Sequence, residues 1–191
     1  MTTIVYFHGF GSNNKTAKVG WLTEQFPQHK VVAPNIPPTA DEAYAVIDAF
    51  IKPLIEQDDV ILTGTSMGGF WANIFAQKYA LRAVIMNPAL TPDQTLRTFV
   101  GAMPFPGYTA TDFTVEDAQK YGKYVKMTTY ENFTNKRIVL LEEADELLDS
   151  KVTFNKYKGA CKTVLIPGGE HKFVNLGILK DAVEELVGVN I

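Results

Sequence analysis

The sequence predicts an α/β protein built on one parallel sheet of six strands, with helices covering both faces. Short β-branched or aromatic runs alternate with longer segments of helical period, which is typical of βαβ units. The apolar runs lack a strict polar and apolar alternation, as expected for strands that are covered on both sides. With 191 residues, the chain can bury a sizeable core without disulfides or metals. We therefore expect a single domain spanning residues 1–191.

Each expected element follows from these patterns in chain order. The strands are short apolar runs, expected at residues 3–7, 30–33, 59–65, 82–86, 136–142 and 161–166. The helices have longer amphipathic periods, expected at residues 16–26, 41–57, 67–79, 149–158 and 173–187. The second helix contains Pro53 and should kink or restart there, because proline removes a backbone donor and clashes with the preceding turn.

The segment between the fourth and fifth strands, residues 92–135, is a long insertion within this domain. It is interrupted by Pro104 and Pro106 and is rich in aromatic residues. Long connections in compact domains are often functional, so the insertion could be a lid over a pocket. It could equally be a helix or two whose aromatic residues pack into the core, and loop statistics do not separate the two interpretations.

Composition argues against several classes of partner and location. Eighteen basic residues against 21 acidic ones give a net charge of −3, so neither nucleic acid nor an anionic membrane surface is an expected partner. The chain has one cysteine, Cys161, and no basic or apolar leader at residues 1–4, which favours a cytoplasmic protein. No apolar stretch approaches the roughly 18 residues of a spanning helix, and no Walker motif or metal-spaced His/Cys pair indicates a cofactor or metal.

The third strand runs directly into the motif Gly64-Thr65-Ser66-Met67-Gly68, and an amphipathic helix follows at once. A G-x-S-x-G turn between a strand and a helix presents the serine hydroxyl above the carboxyl edge of the sheet. Glycine at both flanking positions fits a turn too tight for neighbouring side chains. Ser66 is thus a candidate nucleophile, although a glycine-rich βα turn with a merely structural serine is the alternative.

A serine nucleophile requires a base, and the chain offers three histidines. His29 lies in a polar connection, and His8 ends the first strand, where it fits a loop-shaping role. His171 follows the last strand, at the sheet edge that Ser66 also occupies, because the carboxyl ends of parallel strands meet there. His171 is the candidate base, and a surface histidine capping the final helix is the alternative.

The acid that orients the base should lie between Ser66 and His171 in the chain. The fifth strand ends in a cluster of five carboxylates: Glu142, Glu143, Asp145, Glu146 and Asp149. Asp145 is the best candidate because it falls in the turn after the strand, whereas Asp149 looks like a helix N-cap. Another member of the cluster remains an alternative.

Acyl transfer also requires two donors for the oxyanion. The backbone N–H of Met67, directly after the nucleophile, is one candidate, and that of Phe10, between Gly9 and Gly11, is the other. The same loop partly resembles a dinucleotide fingerprint. Its third glycine is replaced by Asn14, and the second strand lacks a following acidic residue, so nucleotide binding is not favoured.

The sequence resembles the α/β-hydrolase superfamily and, within it, the small bacterial YqiA-like esterases. The matching stretches span nearly the whole chain: residues 6–10, 64–70, 87–89, 144–148 and 168–173. The resemblance implies a minimal α/β-hydrolase fold, with Ser66, Asp145 and His171 as the catalytic triad and Phe10 and Met67 as oxyanion donors. It also implies small acyl esters as substrates.

The sequence therefore predicts a serine hydrolase that cleaves small carboxylic esters or thioesters through an acyl-enzyme. An acyltransferase, a C–C bond hydrolase or a non-catalytic ligand-binding protein could use the same fold. Candidate pocket residues are Gly9, Trp71, Phe105 and Tyr108, although packing in the core is the alternative for Trp71. The oligomeric state is not indicated by the sequence.

Overall fold

A computed structural model describes residues 1–101, 112–131, 133 and 136–187. Within these residues the strands are β1 (Thr2–Phe7), β2 (Lys30–Val32), β3 (Asp59–Thr65), β4 (Arg82–Met86), β5 (Arg137–Glu142) and β6 (Lys162–Ile166). The helices are α1 (Ala17–Gln25), α2 (Ala40–Ile55), α3 (Met67–Lys78), α4 (Pro92–Thr95), α5 (Val115–Met127), α6 (Ser150–Tyr157) and α7 (Leu176–Val187), and a 3₁₀ turn covers Leu96–Phe99.

The six strands form one sheet in the order β2-β1-β3-β4-β5-β6, and every neighbouring pair is parallel. The register pairs Phe7 with Gly64 and Thr65 with Met86. The carboxyl ends of β1, β3 and β4 therefore lie side by side. This edge positions the loops that carry the candidate site.

Two apolar layers cover the sheet. Alternate β1 residues, Val5 and Phe7, belong to a core formed with α2, α3, α5 and α6. Ile4 and Tyr6 belong to the opposite core, formed with α1 and α7. Side chains of consecutive strand residues point to opposite faces, so one buried strand supplies both layers. The expected sandwich of helices on both faces is confirmed.

Two helices differ from their expected boundaries by more than one residue. Helix α2 passes through Pro53 and ends two residues later, at Ile55, so the predicted restart does not occur. Helix α7 begins at Leu176, three residues after the expected start at Phe173. Phe173 has φ +62°, and the N–H groups of Val174 and Asn175 donate to the side chain of Glu142. These residues form a bonded loop before the helix.

Part of the 92–135 insertion packs into the core. Tyr121 and Tyr124 of α5 are buried, and their rings lie 5.8 and 5.2 Å from the ring of Trp71. The Tyr121 hydroxyl donates to the carbonyl of Pro38 at 2.7 Å. The packing interpretation thus holds for α5. A lid stays a prediction, because Phe105 and Tyr108 lie outside the described residues.

Among the described helices, none is both long and apolar enough to cross a membrane. In the same residues, no group of three or more histidine, cysteine or acidic side chains is arranged to hold a metal ion.

Candidate active site

Ser66 is the single residue between β3 and α3, and its backbone is strained. Its φ of +58° and ψ of −119° lie in a region that non-glycine residues rarely adopt. Its N–H donates to Met86 at 3.0 Å, and its carbonyl accepts from Phe70 and Ala89 at 3.0 and 3.2 Å. These bonds to β4, α3 and the loop after β4 hold the strained conformation.

The glycines of the motif are required by close backbone approaches. A Cβ on Gly64 would lie 2.4 Å from the carbonyl oxygen of Gly68, and one on Gly68 would lie 1.9 Å from that of Phe7. Real Cβ atoms do not approach backbone this closely. The turn can therefore form against β1 because both positions lack a side chain.

The structure brings the side chains of Ser66, His171 and Asp145 together. His171 Nε2 lies 2.9 Å from Ser66 Oγ, and His171 Nδ1 lies 2.9 Å from each oxygen of the Asp145 carboxylate. The side chain of Asp145 is 2% exposed, and its Oδ1 also accepts from the N–H groups of Leu147 and Leu148 at 2.9 Å. With Nδ1–H donating to the carboxylate, Nε2 is left as the acceptor that faces the serine.

The other four carboxylates of the cluster have different partners. Glu143 pairs with Lys151, and Asp149 caps α6 by accepting from the N–H groups of residues 151 and 152. Glu146 accepts the backbone N–H of His171 at 2.8 Å, which lowers the pKa of its carboxyl group. Glu142 is fully buried below the His171 loop. Within the cluster, Asp145 is the residue that contacts the imidazole.

The loop after β1 passes close to the serine. A Cβ built on Gly9 would lie 3.6 Å from both Ser66 Cβ and the carbonyl oxygen of Thr65. Phe10 and Met67 both line the cavity that contains Ser66, and Met67 is the first residue of α3. Both candidate oxyanion donors therefore belong to residues that line the cavity containing the hydroxyl, and Met67 lies at a helix N-terminus, where partial positive charge accumulates.

His8 shapes this loop, as the sequence indicated. Its side chain is buried, with Nδ1 2.9 Å from the carbonyl of Gly9 and Nε2 2.9 Å from the N–H of Ile36. Because Nε2 accepts from Ile36, Nδ1 carries the proton and donates to Gly9. Burial lowers the pKa of His8, which favours the neutral ring. His8 thus ties the loop after β1 to the loop after β2.

A cavity of about 510 Å³ opens over Ser66 and His171. Most of its wall is apolar: Phe10, Ala89, Leu96, Phe99, Leu147 and Leu148. Lys18 and Lys172 also line it, and the ammonium group of Lys18 donates to the carbonyl of Lys172. The cavity can therefore hold an apolar group of moderate size against the serine.

The predicted pocket residues divide into three groups. Gly9 lines the Ser66 cavity as expected. Trp71 does not line that cavity: its side chain is 1% exposed, packs with Tyr121 and Tyr124, and borders an adjoining cavity of about 110 Å³ that shares Gly9, Phe10 and Met67 with it, so its contact with a substrate stays a prediction. It belongs to the α3–α5 packing, which was the alternative interpretation. Phe105 and Tyr108 fall outside the described residues.

Sequence reasoning missed two kinds of residue around the candidate site. Leu96 and Phe99 of the 3₁₀ turn line the cavity, and a signal for them existed, since both are apolar residues at the start of the insertion. Asn87 and Glu142 contact the loop that carries His171. No sequence signal separates such residues from ordinary polar side chains at strand ends.

Comparisons of the sequence place it in a family. The model of the family described as "Uncharacterised protein family (UPF0227)" matches residues 3–187. A UPF0227 protein of Serratia proteamaculans (strain 568) is 24% identical over 181 residues, covering 91% of this chain and 92% of that protein. A second UPF0227 protein, from Shewanella sp. (strain MR-4), is 24% identical over 162 residues, covering 81% of this chain and 82% of the relative.

Comparisons of the structure identify the fold. Est1E from Butyrivibrio proteoclasticus, solved with bound ferulic acid, superposes with a TM-score of 0.72 at 16% identity, covering 98% of this chain and 88% of that one. Alpha/beta hydrolase domain-containing protein 10 from mouse has a TM-score of 0.72 at 15% identity, with coverages of 97% and 89%. FphF, a fluorophosphonate-binding serine hydrolase of Staphylococcus aureus, has a TM-score of 0.65 at 18% identity, with coverages of 98% and 84%. The expected α/β-hydrolase fold is confirmed.

Proposed function

The chain belongs to the UPF0227 family, and we propose that it is a serine hydrolase that cleaves small carboxylic esters or thioesters. One observation carries the proposal: the Ser66 hydroxyl, the His171 imidazole and the Asp145 carboxylate form a continuous chain of 2.9 Å contacts. In this order a carboxylate orients the imidazole, and the imidazole removes the serine proton. The strained backbone of Ser66, held by bonds on three sides, supports the same role.

The chemistry proceeds in two halves. Ser66 Oγ attacks the carbonyl carbon while His171 Nε2 takes the hydroxyl proton, and the N–H groups of Phe10 and Met67 stabilise the oxyanion. The intermediate collapses when the bond to the leaving oxygen or sulfur breaks, and His171 returns the proton to that atom. Water then attacks the acyl-enzyme with the same base, which releases the acid and regenerates the serine.

The lining of the cavity supports an apolar acyl or alcohol group on the substrate. A volume of about 510 Å³ with mostly aliphatic and aromatic walls favours burial of hydrocarbon next to the reacting carbonyl. Est1E, a structurally similar protein, was solved with ferulic acid, an aromatic acid, which fits such a lining. FphF binds fluorophosphonates by its own description, which supports the serine nucleophile.

The nucleophile is tested by labelling with a fluorophosphonate probe and mapping the modified peptide. We expect the label on Ser66 in the folded protein, with no labelling after heat denaturation or in Ser66→Ala. Hydrolysis of a chain-length series of p-nitrophenyl esters should fall by about 10⁴-fold or more in Ser66→Ala and in His171→Ala, because the three residues act as a unit.

Ser150→Ala is the matched control, since Ser150 lies at the start of α6 and its hydroxyl donates to the carbonyl of Glu143. This variant should hydrolyse esters at the wild-type rate. A ligand-binding protein would bind the ester without a burst of p-nitrophenol. Full esterase activity in Ser66→Ala would disprove the proposal.

A further inference from the structure

We propose that Glu142 is a positioning residue for His171: its buried carboxylate holds the backbone on both sides of the histidine and so sets the imidazole against Ser66. The inference deepens the proposed function and rests on it, because it assigns His171 the role of the base. Glu142 itself is too deeply buried to touch a substrate, with none of its surface exposed.

The carboxylate of Glu142 accepts four hydrogen bonds, and all of them come from the loop around His171. Oε2 accepts the backbone N–H of Glu170, directly before the histidine, at 2.7 Å. Oε1 accepts the backbone N–H groups of Val174 and Asn175 at 2.8 Å and the side-chain amide of Asn175 at 2.6 Å. One side chain thus bonds the chain before and after His171.

Asn87 completes this attachment from the neighbouring strand. It follows β4 with a positive φ of +37°, and its Oδ1 accepts the backbone N–H of Glu142 at 2.9 Å. Its amide nitrogen lies 3.1 Å from the carbonyl of Glu170 and 3.2 Å from that of His171. Two carbonyl groups of the loop are therefore bonded to Asn87, directly after β4, while its N–H groups are bonded to Glu142 at the end of β5.

Gly169 allows the loop to lie directly on the carboxylate. Its φ is +79°, and a Cβ at this position would lie 2.3 Å from Glu142 Cδ. The loop can therefore approach Glu142 this closely because residue 169 has no side chain. The backbone of residue 169 therefore packs directly against the carboxylate, in addition to the hydrogen bonds that the loop donates to it.

The main chain of Glu142 also anchors the acid. Its carbonyl oxygen accepts the N–H of Asp145 at 3.2 Å, so the turn that carries the acid and the loop that carries the base are attached to one residue at the end of β5. An imidazole must be held to within about 0.5 Å for efficient proton transfer. A single rigid anchor for both partners is a direct way to hold that geometry.

Glu142→Gln is the test variant, and Glu143→Gln is its matched control. An amide at position 142 supplies one acceptor oxygen, so its NH₂ group must face a backbone N–H of the loop. Glu143 is exposed and its carboxylate pairs with Lys151, away from the imidazole. Both variants lose one negative charge. A difference between them therefore reports the loss of the carboxylate at position 142 and not the change in net charge.

Two measurements distinguish positioning from general stabilisation. For p-nitrophenyl butyrate, we expect kcat to fall by about 10- to 100-fold in Glu142→Gln, with KM changed less than about twofold, since misplacing the base by about 1 Å has effects of this size. In the ¹⁵N NMR spectrum of the imidazoles, the wild-type His171 ring should show Nδ1 protonated and Nε2 bare. Glu142→Gln should shift His171 towards a mixture of the two tautomers, and Glu143→Gln should change neither measurement.

The outcomes separate the two proposals. If the wild-type protein neither hydrolyses esters nor takes the fluorophosphonate, the proposed function fails, and the tautomer comparison alone decides the role of Glu142. Wild-type kcat and an unchanged His171 spectrum in folded Glu142→Gln would overturn the positioning role. Where that variant does not fold, Asn175→Ala removes one of the four donors and should shift the His171 signals in the same direction. An unchanged spectrum there would also overturn it.

Discussion

Strand β5 carries a buried charged side chain at each end, and the two ends differ in how that charge is satisfied. Glu142, at the carboxyl end, accepts four hydrogen bonds. Arg137, at the amino end, is 2% exposed and donates Nη1 to Asn73 Oδ1 at 2.9 Å. Its Nε and Nη2 have no hydrogen-bond partner among the described residues, and its guanidinium lies 3.7 Å from the centre of the Phe133 ring.

This difference separates a buried charge that organises structure from one that costs stability. A carboxylate with its lone pairs filled fixes the groups that donate to it, and removing it would leave four part-buried donors without their acceptor. A guanidinium with two unpaired nitrogens carries a desolvation cost that one hydrogen bond and one ring contact compensate only in part. Burial lowers the pKa of Arg137 to about 10, so it remains protonated at neutral pH and bears that cost.

The largest expected effect is from Glu142→Leu. This change leaves four donors without an acceptor, each costing about 1–3 kcal/mol when it stays buried. We expect the free energy of unfolding, measured in urea, to fall by at least about 3 kcal/mol. A loss below about 1 kcal/mol would mean that the four bonds contribute little and that the two ends of β5 are alike.

Gly169→Ala and Gly168→Ala sharpen the comparison at the carboxyl end. Both residues have a left-handed φ, +79° and +74°, but a Cβ on Gly168 would meet nothing within 4 Å, whereas one on Gly169 would collide with Glu142. The backbone cost alone is about 1–2 kcal/mol. Gly168→Ala should lose that amount and keep wild-type kcat, while Gly169→Ala should lose more stability and lower kcat. If Gly169→Ala and Gly168→Ala lost the same free energy of unfolding in urea and had the same kcat, the close contact between Gly169 and the carboxylate would be contradicted.

At the amino end, Arg137→Met should have a much smaller effect. It removes a charge that is costly to bury and leaves one acceptor, Asn73 Oδ1, without its donor. These contributions oppose each other, so the free energy of unfolding should stay within about 1 kcal/mol of wild type. A loss as large as that of Glu142→Leu would show that the guanidinium is as fully compensated as the carboxylate.

The smallest effect is a pH dependence that comes from His8. Because burial lowers the pKa of His8 below its usual 6.5, the unfolded chain binds a proton that the folded chain resists. Stability should therefore fall as the pH drops from about 7.5 to about 5.5. Urea unfolding of His8→Gln should show a shallower slope over this range. Identical slopes would mean that the buried ring titrates normally.

Local patterns were enough to predict most of the fold. The observed strands begin and end within one residue of the expected positions, because apolar β-branched runs bounded by polar turns are recognisable without knowledge of the partner strand. Ser66 was predictable for a similar reason, since the tight turn needs glycine on both sides and the requirement is written in neighbouring residues. The late start of α7 was not, because a distant side chain, Glu142, binds the N–H groups of that loop.

What the sequence determined by itself is therefore the parallel α/β sheet, the bent serine turn and the edge on which His171 lies. The tertiary structure decided which of five neighbouring carboxylates faces the imidazole, that Trp71 packs beneath the site, and that Glu142 holds the loop of His171. The physical reason is the distance along the chain over which the deciding interactions act. Periodicity and turn chemistry act between adjacent residues, whereas the partner of a buried polar group is chosen by which chain segments meet in space.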